Sequence, residues 1–147
     1  MTYQIVSERR STGYKVTSPQ DIYSALKRYS SSKKEMFLSL TLDGAHQIIR
    51  IHIVSIGLVN RTLVHPREVY RTALLDNAVS LVVAHPHPSA RHDISRLEPS
   101  PEDIEVTRRL REAGQVLGVD LIDHLIIGKA GFFSFVQHGL LDPASLD

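Results

Sequence analysis

Leu81-Val82-Val83-Ala84-His85-Pro86-His87-Pro88 is an apolar run that ends in two histidines two positions apart. It reads as a buried strand whose tip enters a cleft. Residues i and i+2 of a strand point to one face, so both imidazoles can reach one ion. Two neutral imidazoles and a carboxylate leave a zinc ion with an open fourth position, where the pKa of a water falls to about 7 and hydroxide becomes available near neutral pH. The carboxylate expected to complete that set is Asp103, in Ser100-Pro101-Glu102-Asp103. Those four residues also spell a helix start, with serine at the N-cap, proline at the first helical position and acids in the first turn. On spacing alone both readings stand, because a pair of histidines at a strand end is also met as unrelated polar residues.

Outward from this stretch, the chain has 147 residues, enough for one domain with a real core and too few for two ordinary ones. Hydrophobic residues make up 42% and charged residues 22%, which is the balance of a globular domain and not of a disordered chain. A formal net charge of +1 excludes a uniformly basic surface for nucleic acid. With no cysteine, there can be no disulfide framework or thiolate site, and any metal must rest on histidine and carboxylate, which suits zinc. No stretch has the length of a membrane span or the apolar core of a signal peptide, so a cytoplasmic protein is expected.

Taken in order, residues 1–17 alternate Tyr3, Ile5, Tyr14 and Val16 around a polar middle and read as an extension of short edge strands. Residues 18–141 form the expected domain, and 142–147 a loosely held tail. Ser18-Pro19 starts a helix carrying Ile22, Ala25, Leu26 and Tyr29 at helical spacing. A strand over 36–42 turns at Asp43-Gly44 into a strand over 46–55, in which His46 and His52 read as surface or satisfied sheet residues. A helix over 66–77 presents Val69, Tyr70, Ala73 and Leu74 on one side, and Glu68 in its first turn suits the helix dipole. A helix over 103–117 is read with Ile104, Leu110, Ala113, Val116 and Leu117 inward, Arg108, Arg109 and Arg111 on a solvated face, and Gly118 as its stop. Strands over 119–127 and 132–136 follow, with His124 read chiefly as a core residue inside the first. Strands before and after the histidine run with helices between them predict an α/β (α+β) fold, a mixed sheet with helices packed on its faces.

Several segments together resemble one family. His85-Pro86-His87-Pro88 followed by Ser100 and Asp103 looks like the JAMM motif, H-x-H-P then S-x-x-D, of JAB/MPN metalloproteins. Val64-His65-Pro66-Arg67-Glu68-Val69, Glu102-Asp103-Ile104-Glu105-Val106 and Asp123-His124-Leu125-Ile126-Ile127-Gly128 are similar to segments of the RadC-like branch. The resemblance implies the MPN fold, similar in layout to cytidine deaminases, and a Zn2+ held by His85, His87 and Asp103. Glu35, just before the strand that follows the first helix, matches the general base of JAMM proteins, with Glu68 as its rival. Ser100 would hydrogen-bond the water or the developing oxyanion. The activity implied is cleavage of an amide or isopeptide bond in a peptide or protein substrate. Two alternatives accompany it. One is the DNA-repair role attached to RadC-like proteins, for which only the three arginines speak, and the other is a binding module without catalysis. The resemblance also implies a helical amino-terminal domain in full-length relatives, for which this chain has no room. One departure is the spacer between Pro88 and Ser100, longer than the family pattern and carrying His92 and Asp93 as a rival ligand pair. A long loop can bulge outward and leave the ligands in place, since closure entropy grows slowly with length.

Overall fold

A computed structural model describes residues 3–7, 14–32, 34–57, 64–87 and 97–142. Its six strands are β1 (Tyr3–Ser7), β2 (Met36–Leu42), β3 (Ile48–Ile56), β4 (Ser80–Pro86), β5 (Asp120–Ile127) and β6 (Phe132–Ser134), and its helices are α1 (Pro19–Leu26), α2 (Pro66–Leu75) and α3 (Pro101–Leu117). The strands form a single sheet in the order β1-β3-β2-β4-β5-β6. Only β4 and β5, joined through α3, run parallel, and every other described pairing is antiparallel. The sheet is therefore mixed and the architecture α+β, as the sequence predicts.

Strand alternation makes two cores, one on each face. Leu38, Leu40, Leu42, Val82, Ala84 and Leu125 pack with Ile22 and Leu26 of α1. Phe37, Leu81, Val83 and Ile126 pack with Val69, Tyr70 and Ala73 of α2 and Val106 and Leu110 of α3. Every residue of β2 and β4 is buried, as covered central strands require.

The punctuation follows local chemistry. The Ser18 hydroxyl oxygen accepts from the Asp21 amide to cap α1. Asp43 Oδ1 accepts from the amides of Ala45 and Gln47 in the β2–β3 turn, and the left-handed residue there is His46, at φ 59°, while Gly44 takes an ordinary φ. Gly118, at φ 74°, closes α3.

Three expectations change, and that of His52 as a satisfied sheet residue holds. Helix α2 stops at Leu75, and Leu74 is 54% exposed because the buried stripe runs through Val69, Tyr70, Thr72 and Ala73. In α3 the inward residues are Asp103, Val106, Thr107, Leu110 and Gly114, while Ile104, Val116 and Leu117 face outward. Strand β6 ends at Ser134, because the Val136 amide turns back to Asp123 Oδ1. His52 is buried, with Nε2 2.7 Å from Asp76 Oδ2, which also accepts from the Thr41 hydroxyl; the group pins the end of α2 to the sheet. Residues 8–13, 58–63, 88–96 and 143–147, which include the lengthened spacer with His92 and Asp93, lie outside the described residues. Among the described residues no helix is long and apolar enough to cross a membrane.

Candidate active site

His85 stands at the carboxyl end of β4, beside the parallel partner β5 and facing the first turn of α3. The open ends of parallel strands, where the connection leaves for a helix, are where α/β sheets gather their functional groups. Alternation puts His85 on the face of Leu81 and Val83, the side covered by α2 and α3.

Asp103 reaches the same point from α3. Its Oδ2 accepts from the Ser100 amide at 2.9 Å, while Ser100 Oγ accepts from the Asp103 amide at 3.1 Å, a reciprocal capping box. One carboxylate oxygen is thus spent on the helix end, and the other, Oδ1, is aimed at His85 Nε2, 3.5 Å away. Both side chains are almost wholly buried, at 1% and 4% exposed. Burial alone would raise the Asp103 carboxyl; the His85 ring beside it, the Ser100 amide and the His124 ring outweigh it and hold the group well below the usual carboxylate range. The helix-start reading of Ser100-Pro101-Glu102-Asp103 therefore holds, and the oxygen of Asp103 left outside the cap is the one that faces His85.

A second ring completes the cluster. His124 Nε2 lies 3.0 Å from His85 Nδ1, and His124 Nδ1 lies 2.6 Å from the Thr107 hydroxyl, which bonds the Asp103 carbonyl oxygen at 2.6 Å. His124 stacks on Phe135 with centroids 4.5 Å apart, and Phe37 covers both histidines. A register shift after Leu121 makes this possible: Leu81 pairs with Leu121, but Val82 pairs with Asp123 and Val83 with His124. The extra residue flips the parity of β5, so that His124 joins the face of His85 and Asp123 turns to the other. His124 is thus a direct partner of His85 and not merely a core residue, and Thr107 is the group that sequence reasoning missed. Its signal was available, since Thr107 stands four residues after Asp103 and hence on the same helical face.

Glu35 and His87 border this cluster in the fold. Glu35 immediately precedes β2 and His87 immediately follows β4, and these strands pair antiparallel with Leu38 opposite Ala84. Glu35 shares the parity of Phe37, and one of its carboxylate oxygens is buried. His87 is half-buried, its amide donating to the Ile127 carbonyl at 3.0 Å. Ser100 Oγ serves as the cap acceptor, which leaves its O–H hydrogen outside that bond. Glu68 sits in the first turn of α2, 3.4 Å from Arg67 Nε, in the groove between α2 and α3. Among the three arginines of α3, Arg108 is paired with Glu105 and Glu112, and Arg111 donates to the Asp142 carbonyl.

The donor set fits a metal at two points. Ligands about 2.0–2.2 Å from a tetrahedral zinc stand about 3.4 Å apart, close to the separation of the two facing atoms. Among the described residues no group of three or more His, Cys, Asp or Glu side chains is placed to hold a metal ion.

A mixed sheet with helices on both faces and a His/Asp pair at the end of its parallel strands is consistent with the JAB/MPN class of domain. The family model of the RadC-like JAB domain matches residues 16–140. A UPF0758 protein of Methanosarcina acetivorans is 42% identical over 130 residues, covering 86% of this chain and 54% of that protein. One from Trichlorobacter lovleyi is 42% identical over 136 residues, covering 92% and 57%, and one from Geobacter sulfurreducens is 41% identical over 143 residues, covering 96% and 60%. The chain belongs to the RadC-like JAB domain family, and it spans little more than half the length of these relatives.

Proposed function

We propose that this domain is a zinc-dependent hydrolase of amide or isopeptide bonds in a peptide or protein. The observation that carries the reading is the buried approach of His85 Nε2 to Asp103 Oδ1 at 3.5 Å, at the carboxyl end of the parallel strands. His85, Asp103 and His87 would hold the ion. Zinc in that place supplies a Lewis acid and a water whose pKa is near 7.

The chain's own residues do the rest. Asp103, ionised over the whole neutral range, brings negative charge to the site while its second oxygen stays locked in the helix cap. Glu35 takes a proton at its carboxylate and returns it to the leaving amine, as a carboxylate that is not itself a ligand can. Ser100 directs its remaining O–H hydrogen toward the oxygen on which negative charge develops. Phe37 and Phe135 close the inner side of the cluster to water.

Glu35→Gln tests the central role. The variant is expected to bind zinc as the wild type does and to lose about 100-fold or more of its hydrolysis of isopeptide-linked and linear peptides, the range of general acid–base catalysis. Full activity in that variant would remove Glu35 from the mechanism.

A further inference from the structure

We infer that Thr107 is a positioning residue for His85: acting through His124, it sets which nitrogen of His85 carries a proton and which is offered to Asp103. The inference rests on the reading of His85 and Asp103 as metal ligands, and it concerns atoms that neither the family match nor the JAMM pattern assigns.

The argument is one of hydrogen-bond direction. A main-chain carbonyl only accepts, so the 2.6 Å contact between Thr107 Oγ1 and the Asp103 carbonyl uses the single hydroxyl hydrogen of Thr107. The second contact of that oxygen, 2.6 Å to His124 Nδ1, is then a hydrogen bond only if His124 donates. His124 is wholly buried and enclosed by Phe37, Phe135 and His85, where the neutral ring is the less costly form. With its hydrogen on Nδ1, its Nε2 accepts. The 3.0 Å contact to His85 Nδ1 therefore has His85 as donor.

The chain of directions ends at the site. His85 keeps a hydrogen on Nδ1, and Nε2, the nitrogen that faces Asp103 Oδ1, is the one offered to a proton or to a metal. Ligating histidines are ordinarily held in one tautomer by an acceptor on the other nitrogen, and loss of that acceptor weakens metal binding by about 10- to 100-fold. Here the acceptor is a second histidine, itself oriented by a threonine hydroxyl that is tied back to the main chain of the ligand Asp103. Removing that hydroxyl frees His124 to carry its hydrogen on Nε2, donate to His85 Nδ1, and drive the His85 hydrogen onto the nitrogen that should bind.

The test compares wild type with Thr107→Val, which keeps the shape and loses the hydroxyl, and Thr107→Ser, which restores it. Long-range 1H–15N spectra of the metal-free and zinc-loaded protein should show His124 protonated at Nδ1 and bare at Nε2, and His85 protonated at Nδ1 in both states. Thr107→Val should reverse the His124 pattern and raise the zinc dissociation constant about 10- to 100-fold, and Thr107→Ser should recover both. A wild-type spectrum with His124 bare at Nδ1, or a Thr107→Val protein with unchanged spectrum and affinity, overturns the inference. The wild-type spectrum decides the matter even if Thr107→Val fails to fold. Failure of the wild type to bind zinc would sink the ligand reading separately, while the metal-free spectrum still judges the relay.

Discussion

Single residues in this domain do double work, and that is where sequence reading is weakest. Asp103 is legible as a helix-start acid and as a candidate ligand, but only the fold shows its two oxygens divided between the Ser100 amide and His85. The neighbouring residues Asp123 and His124 face opposite sides of the sheet and are equally divided in task. Asp123 accepts from the Ser134 hydroxyl at 2.6 Å and from the amides of His124 and Val136 at 2.7 and 3.1 Å, tying β5 to the turn after β6. Burial pushes its carboxyl above the ordinary range, although these donors pull it back. An acid whose folded-state pKa is raised stabilises the fold most below its unfolded pKa of about 3.9 and loses that contribution as pH rises through the folded value. Asn at this position keeps an acceptor for the amides and does not titrate. Urea midpoints from pH 4 to pH 7 should therefore fall less in Asp123→Asn than in wild type; parallel curves would contradict this account of Asp123.

At the scale of elements, boundaries and types were largely legible, because each is written in local chemistry: the Ser18-Pro19 and Ser100-Pro101 starts, the Gly118 stop, and the apolar runs of β2 and β4. The inward face of α3 was not. Hydrophobicity selects Ile104, Val116 and Leu117, yet the face turned to the sheet carries Asp103 and Thr107, because the site occupies part of what would otherwise be core. A polar inward stripe reads as an outward one until its partners are known. The bulge after Leu121 is likewise silent in sequence, since it depends on how β4 and β5 register and not on β5 alone. Packing between α2 and α3 yields a sharper expectation. Gly114 faces the Tyr70 hydroxyl, which donates to the Leu110 carbonyl, and a Cβ there would meet that hydroxyl and the Val119 carbonyl oxygen. Helix propensity favours alanine over glycine by about 1 kcal/mol. Gly114→Ala should nonetheless destabilise by roughly 1–3 kcal/mol in denaturant unfolding, the range of overpacked cores. A neutral or stabilising result would mean that the two helices separate more easily than the geometry implies.

For the whole molecule, the sheet order is what turns scattered residues into a candidate site. Strand β4 at the centre brings the first half of the chain, with Phe37, against the second half, with Asp103, Thr107 and His124. Sequence spacing put His85 and Asp103 forward together and the motif order pointed to the family, because those signals are short and local. The relay behind His85 was illegible, because it needs three elements in register at once. The basic face offered by Arg108, Arg109 and Arg111 carries less free charge than its composition suggests, since Arg108 lies between Glu105 and Glu112. The measurement that tests the central claim most directly is zinc content by mass spectrometry on purified protein, with wild type beside His85→Ala, His87→Ala and Asp103→Ala. The account predicts about one zinc per chain in wild type and its loss in each variant. A wild type that stays metal-free when zinc is supplied, or an Asp103→Ala protein that keeps its zinc, would contradict it.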